Sequence, residues 1–179
     1  MNFISAVKSV FSQYATFTGR ARRSEFWYFV LFNIVVSFVI SMVAAPFDPA
    51  PSTRAVASLD DVMTTMGDSL TTPSSIASLI FSLITLVPSY AVQTRRLHDI
   101  GKSGWYVVAG LVLGLLFATC CVVGIITQNF VLIAIGGFLS LIAVAYDIYL
   151  IVLYCRDSQF GANRYGENPK GETGNNDDF

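Results

Sequence analysis

The sequence predicts an all-α fold, a polytopic four-helix transmembrane bundle with an N-terminal amphipathic interfacial helix, on three observations. Four apolar stretches, Phe26–Pro46, Ser74–Gln93, Trp105–Thr127 and Asn129–Tyr154, are each long enough to cross about 30 Å of hydrocarbon as a helix. The chain is 54% hydrophobic and 13% charged, with mean hydropathy +0.59, against roughly 25% charged residues in an average soluble domain. Its basic residues, finally, are sorted by side.

That sorting sets the orientation. Lys8, Arg20, Arg22 and Arg23 precede the first span, Arg95, Arg96 and Lys102 lie between the second and third, and Arg156, Arg164 and Lys170 follow the fourth. Arg54 alone falls on the opposite side. The positive-inside rule then places both termini and the loop 94–104 in the cytoplasm. With 179 residues mostly in four spans, no second domain of ordinary size fits. The expected organisation is a surface helix over 1–18, a membrane domain over 19–158 with an outer loop over 47–73, and a cytoplasmic tail over 159–179.

Each element follows from its own residues. Phe3, Val7, Val10, Phe11 and Tyr14 recur at helical spacing, with Lys8, Ser9, Ser12 and Gln13 on other faces. This is an amphipathic helix, lying either on the membrane surface or against the protein's own cytoplasmic loop. Thr18-Gly19 ends it. In the first span, Val43-Ala44-Ala45 loosely resembles a leader cleavage site, but the apolar run is too long and too late for one, and Pro46 follows. The helix is read as retained. The outer loop is rich in Pro, Ser, Thr and Asp; Ser58 and Asp61 are spaced as a capping box for a short helix carrying Leu59, Val62, Met63, Met66 and Leu70. Span two contains Pro88, whose freed carbonyl needs a donor from a neighbouring helix or a hydroxyl side chain. Span three carries Gly110, Gly114 and Ala118 four residues apart, a smooth face for helix packing or for homodimerisation. Ser37 with Ser41, Ser78 with Ser82, and Gly136 with Ser140 extend that pattern. The last dozen residues of the tail have the composition of a disordered end.

Two segments hold the residues best suited to chemistry: GRARRSEFWYF, 19–29, and RRLHDIGKSGWY, 95–106. Each places paired arginines, Arg22-Arg23 or Arg95-Arg96, at the membrane face and ends in Trp-Tyr. Trp27 and Trp105 stand where amphipathic rings anchor at headgroup depth. The likeness hints at a duplicated helical hairpin. Together with Glu25, His98 and Asp99, these arginines are compatible with three uses: structural ion pairs, a site for anionic lipid headgroups, or a site for a phosphorylated or carboxylated solute. No nucleophile, base and orienting acid assemble around His98, so no enzymatic activity and no catalytic residue are expected. Cys120, Cys121 and Cys155 give no disulfide framework, and a single histidine gives no metal site. No cofactor is expected either.

Asp147 is the one acid well inside a span. A carboxylate there costs about 2.5–3.5 kcal/mol on insertion scales, so it should face the bundle and have a partner. Asn33, Gln93 and an inward-reaching Arg95 are the candidates. The residue is either a polar clamp or a group that handles protons or cations.

GRARRSEFWYF, RRLHDIGKSGWY and, in the tail, GANRYGENP (161–169) occur in order, and this combination closely resembles the bacterial inner-membrane family catalogued as domain of unknown function 805, the YhaH and YhaI type. The resemblance runs from about Phe11 to Pro169. It implies four transmembrane helices in a bacterial cytoplasmic membrane and supplies no activity, substrate or cofactor. The matching positions include Arg20, Arg23, Glu25, Trp27, Arg95, Arg96, His98, Asp99, Trp105, Asn163, Arg164 and Tyr165. The tail motif is expected to fold back beneath the bundle as a third wall beside the two arginine segments.

The resulting expectation is a non-enzymatic binding or adaptor protein of the inner membrane. Arg20, Arg22, Arg23, Glu25, Trp27, Arg95, Arg96, His98, Asp99, Lys102, Trp105, Asn163, Arg164 and Tyr165 would form its cytoplasmic surface. Anionic lipid headgroups, a small anionic ligand, a second copy or another membrane protein are the partners this surface suits; nucleic acid is not. The alternative is a small oligomeric transporter or channel using Asp147 and the basic vestibule.

Overall fold

The computed structural model describes residues 1–49, 59–169 and 171. Among these residues six α-helices follow one another: α1 (Phe3–Ser12), α2 (Arg23–Ala44), α3 (Leu59–Leu70), α4 (Pro73–Asp99), α5 (Trp105–Ile126) and α6 (Phe130–Cys155). Among the described residues no strand forms; Asn163 and Gly166 make one isolated bridge. Helices α2, α4, α5 and α6 are the four long and apolar enough to cross a membrane. Ser58 of the expected capping box, Arg54, Lys170 and the tail from 172 onward lie outside the described residues.

Local chemistry explains where the helices begin and end. Asn2 caps α1 in a reciprocal box with Ser5, the Ser5 N–H donating to Asn2 Oδ1 over 2.9 Å, which satisfies donors the first turn cannot pair internally. Thr72 caps α4 ahead of Pro73, and Asp48, just past the end of α2, accepts from Ser74 N at 3.0 Å. The exit of α2 is thereby tied to the entry of α4. Asn129 Oδ1 accepts from Val131 N and Leu132 N and opens α6. Helix α4 continues through Gln93 to Asp99, so the expected loop 94–104 shrinks to its second half. The helix stops there because Gly101, at φ +74°, adopts a left-handed conformation that costs glycine little. Gly101 N donates to His98 O over 3.0 Å and Lys102 N to Leu97 O over 2.9 Å, closing the end.

The long helices pair as two hairpins, α2 with α4 and α5 with α6, and meet more sparingly between hairpins. Gly136 of α6 lets α5 approach closely: a Cβ there would stand 2.6 Å from Cys121 Sγ. Of the small-residue face expected on α5, Gly110 packs against Tyr146, Gly114 has open space, and Ala118 is exposed. The close contacts of this hairpin fall at Gly110, Gly124 and Gly136, where a Cβ would press on the facing helix.

The buried core lies at one end of the molecule. Val10, Ala21, Phe26, Phe29, Val92, Leu97, Val107, Leu150, Leu153 and Tyr154 pack together there. Away from it the spans turn large side chains outward, Phe38, Leu83, Leu115 and Phe138 among them, as helices facing lipid do. Helix α1 docks on the core end by its apolar face. Ala6 and Val10 are fully buried, and Phe11 meets Phe29 and Phe32 edge-on. Helix α1 thus packs mainly on α2 and less on α4.

Pro88 inside α4 cannot donate to the carbonyl of Ile84, one turn back. Tyr14, just beyond α1, supplies the missing donor, its hydroxyl reaching Ile84 O at 2.6 Å.

Candidate functional site

The core end gathers both arginine segments and the tail motif around the last turns of α4. Asp99 is fully buried and central. Its Oδ1 accepts from Arg20 Nε at 3.0 Å, and its Oδ2 from Ser158 Oγ at 2.5 Å and from Arg96 Nη1. Arg20 also donates to the carbonyls of Gln159 (2.6 Å) and Gly161 (2.7 Å). Arg96 donates to those of Tyr154 (3.1 Å) and Arg156. Arg96 thus binds the open carbonyls at the C-terminus of α6, where a cation also meets the negative end of the helix dipole. Both guanidiniums are 1% exposed or less. These cations are consumed within the fold.

A second pair lies beside the first. Glu25 of α2 accepts from Ser9 Oγ of α1 at 3.1 Å and from Arg95 Nη1 at 3.4 Å, and Arg95 Nη1 also donates to Gln13 Oε1. Arg95 Nε and Nη2 are buried and have no protein partner among the described residues. The Arg95 carbonyl accepts from Ala21 N at 3.1 Å, which fixes the segment before α2 against α4.

The tail closes this end as a third wall. Asn163 Nδ2 donates to His98 O at 2.9 Å, and the Asn163 and Gly166 backbones exchange two 3.0 Å bonds. The Tyr165 ring then stacks on His98 with centroids 3.7 Å apart and planes 4° from parallel. His98 Nδ1 lies 3.2 Å from the Gly19 carbonyl, so it is the protonated nitrogen and donates there. Arg164 lies 4.7 Å from the Tyr165 ring centre.

The remaining expected site residues sit at the periphery. Arg22 donates to Pro169 O. Arg23 pairs with Asp157 at 3.1 Å in a largely exposed bridge, worth little in water. Lys102 sits 5.9 Å from the Tyr106 ring centre. Neither Lys102 nor Arg164 has a carboxylate partner among the described residues.

Two cavities flank the core end, and each holds one of the two tryptophans. The first, of about 510 Å³, lies between the segment before α2, the end of α4, the start of α5 and the tail. Phe17, Tyr90, Thr94, Trp105, Leu111 and the stacked His98–Tyr165 pair line it. The second, of about 520 Å³, lies between the hairpins, lined by Phe26, Trp27, Phe29, Asn33, Ser89, Gln93, Asp147 and Tyr154 among others.

Asp147 differs from its sequence expectation. It makes no hydrogen bond or ion pair among the described residues. Asn33 Nδ2 instead donates to Phe29 O, one turn back on its own helix, at 2.8 Å. Gln93 Oε1 accepts from Tyr154 at 3.3 Å, and Arg95 is held by Glu25 and Gln13. Asn33 and Gln93 share the second cavity with Asp147 without reaching it. Sequence reasoning also gave no role to Ser158, Gln159 or Phe17, which are ordinary polar or apolar letters outside any charge cluster; Gln13 appeared only as part of the polar face of α1.

Comparison with known proteins places these features in a wider set. A family described as "Protein of unknown function (DUF805)" matches residues 14–167. The inner membrane protein YhaH of Escherichia coli (strain K12) is 30% identical over 161 residues, covering 90% of this chain and 93% of that one. The inner membrane protein YhaI of the same strain is 28% identical over 162 residues, covering 90% and 92%. No solved structure matches the chain.

Proposed function

The chain belongs to the DUF805 family and is an integral inner membrane protein, and from that premise we propose a non-enzymatic binding protein whose cytoplasmic end takes an anionic phospholipid into the cavity beside Trp105. The carrying observation is the cavity itself: an apolar and aromatic hollow at the charged end, whose wall residues Ser103 and Tyr165 directly follow Lys102 and Arg164, two cations with no carboxylate partner among the described residues.

The charge distribution supports the orientation, since the described basic residues fall on the core end or its extensions. The cavity, at about 510 Å³, falls within the range of small-molecule sites, roughly 300–1,000 Å³. Val108 and Leu111 of its wall are partly exposed along α5, where an acyl chain of the bilayer runs. Arg20, Arg95 and Arg96 are committed to Asp99, Glu25 and backbone carbonyls, so a headgroup meets Lys102 and Arg164 instead. Each such surface cation contributes about 1 kcal/mol toward an anionic lipid.

Native mass spectrometry of the delipidated protein titrated with phosphatidylglycerol or phosphatidylcholine tests this reading. One phosphatidylglycerol per protomer is expected to be retained in preference to phosphatidylcholine. The change Lys102→Gln/Arg164→Gln should weaken that retention by about 30-fold, two cations' worth, and Leu111→Trp should remove it by filling the hollow. Equal retention of both lipids, or retention unchanged in the double variant, would refute the assignment.

A further inference from the structure

We infer that the space between the two hairpins is a binding site for a lipophilic organic cation, of the quaternary ammonium or phosphonium class, with Asp147 as its counter-ion. The inference rests on a different cavity from the phospholipid reading and stands or falls independently of it.

Asp147 is eight residues before the end of α6, hence about 12 Å along the helix from its charged end. The carboxylate is at membrane depth and makes no hydrogen bond or ion pair among the described residues, although the sequence offers three polar side chains as candidates. Each is engaged elsewhere: Asn33 with Phe29 O, Gln93 with Tyr154, Arg95 with Glu25. A group of that kind inside a bilayer calls for a counter-charge, and none of the described residues supplies one.

Two cavities share Asp147 as a wall. One, of about 520 Å³, opens between α2, α4 and α6; the other, of about 390 Å³, between α4, α5 and α6. Gln93 and Leu150 also line both. The two hairpins meet only sparingly, which leaves this hollow between them.

The lining selects the ligand. A hard inorganic cation such as calcium needs about six or more oxygen ligands, and this site offers one carboxylate. What it offers is an apolar lining edged by aromatic rings: Trp27, 37% exposed, in the larger cavity, backed by the buried Phe26, Phe29 and Tyr154, and the half-buried Tyr90 in the smaller. Ring faces attract cations that shed their water readily. One fixed negative charge, exposed at the edge of an apolar hollow flanked by Trp27 and Tyr90, therefore matches a bulky, weakly hydrated monocation.

The test is equilibrium dialysis of tetraphenylphosphonium against the full-length protein in phosphatidylcholine nanodiscs, with empty discs subtracted. The wild type should show one saturable site per protomer. Asp147→Asn should weaken it at least tenfold, Asp147→Glu should largely retain it, and Ser89→Phe, which fills the larger cavity without touching the charge, should abolish it. Neutral triphenylphosphine oxide should not compete. Melting curves establish folding, and if Asp147→Asn does not fold, Asp147→Glu and Ser89→Phe carry the test. Uptake no greater than into empty discs, an affinity unchanged in Asp147→Asn or in Ser89→Phe, or competition by the neutral oxide at equal concentration would overturn the proposal.

Discussion

Asp99 concentrates more of this molecule's electrostatics than any other side chain. One buried carboxylate faces Arg20 and Arg96, and the backbone carbonyls of the tail and of the α6 terminus take the donors that remain. Removing the charge leaves two guanidiniums buried without a counter-ion, a change that costs about 3–5 kcal/mol. Asp99→Asn should therefore lower the melting temperature in detergent by about 10 °C, and a melting curve within 2–3 °C of wild type, roughly what 1 kcal/mol moves, would show that carbonyls alone hold the arginines. Arginine position was legible in the sequence and arginine burial was not. A Lys/Arg bias marks the cytoplasmic side equally well whether the side chain reaches headgroups or turns inward, and the decisive partners, Ser158 and the carbonyls of Gln159 and Gly161, lie some 60 residues beyond Asp99. Asp147 shows the opposite failure. Its depth was readable from helix length, yet none of its expected partners bonds to it, because Asn33 is held by its own helix and Gln93 by Tyr154.

At the scale of elements, α1 and α4 illustrate how a local fault is repaired by a distant helix. Pro88 removes one donor from α4, and Tyr14 returns it. Tyr14→Phe should destabilise the protein by about 1–3 kcal/mol, the penalty of a carbonyl left unpaired away from water. In a Pro88→Ala background the backbone itself donates to Ile84, so the same change should lose about 1 kcal/mol of its effect or more. A double-mutant cycle by thermal melting measures that coupling, and strict additivity would detach Tyr14 from the proline. Spans, helix α3 and the amphipathic character of α1 all follow from hydropathy and periodicity. The extension of α4 to Asp99 does not, since a run of charged residues after an apolar stretch reads as loop. Here those residues stay helical because their side chains are the core of the charged end, which α1, the segment before α2 and the tail enclose.

The whole molecule is fastened at one end. Three segments far apart in sequence, all bearing the family's motifs, meet under α4, while the opposite ends of the spans present mainly apolar surface to their surroundings. Deleting the tail after Ser158 removes the carbonyl partners of Arg20 and the Tyr165 wall of the first cavity together. The truncated protein should melt at least as low as Asp99→Asn and should lose phosphatidylglycerol retention; normal retention would place the lipid elsewhere.

The separation of Trp27 and Trp105 into different cavities has a practical outcome. These are the chain's two tryptophans, so its tryptophan emission, excited beyond the tyrosine absorption band, has one source on the wall of each hollow. Changing either one to phenylalanine leaves a protein whose fluorescence reports a single compartment. The molecule carries its own pair of lamps, and a ligand that dims or shifts one of them reveals which chamber it has entered.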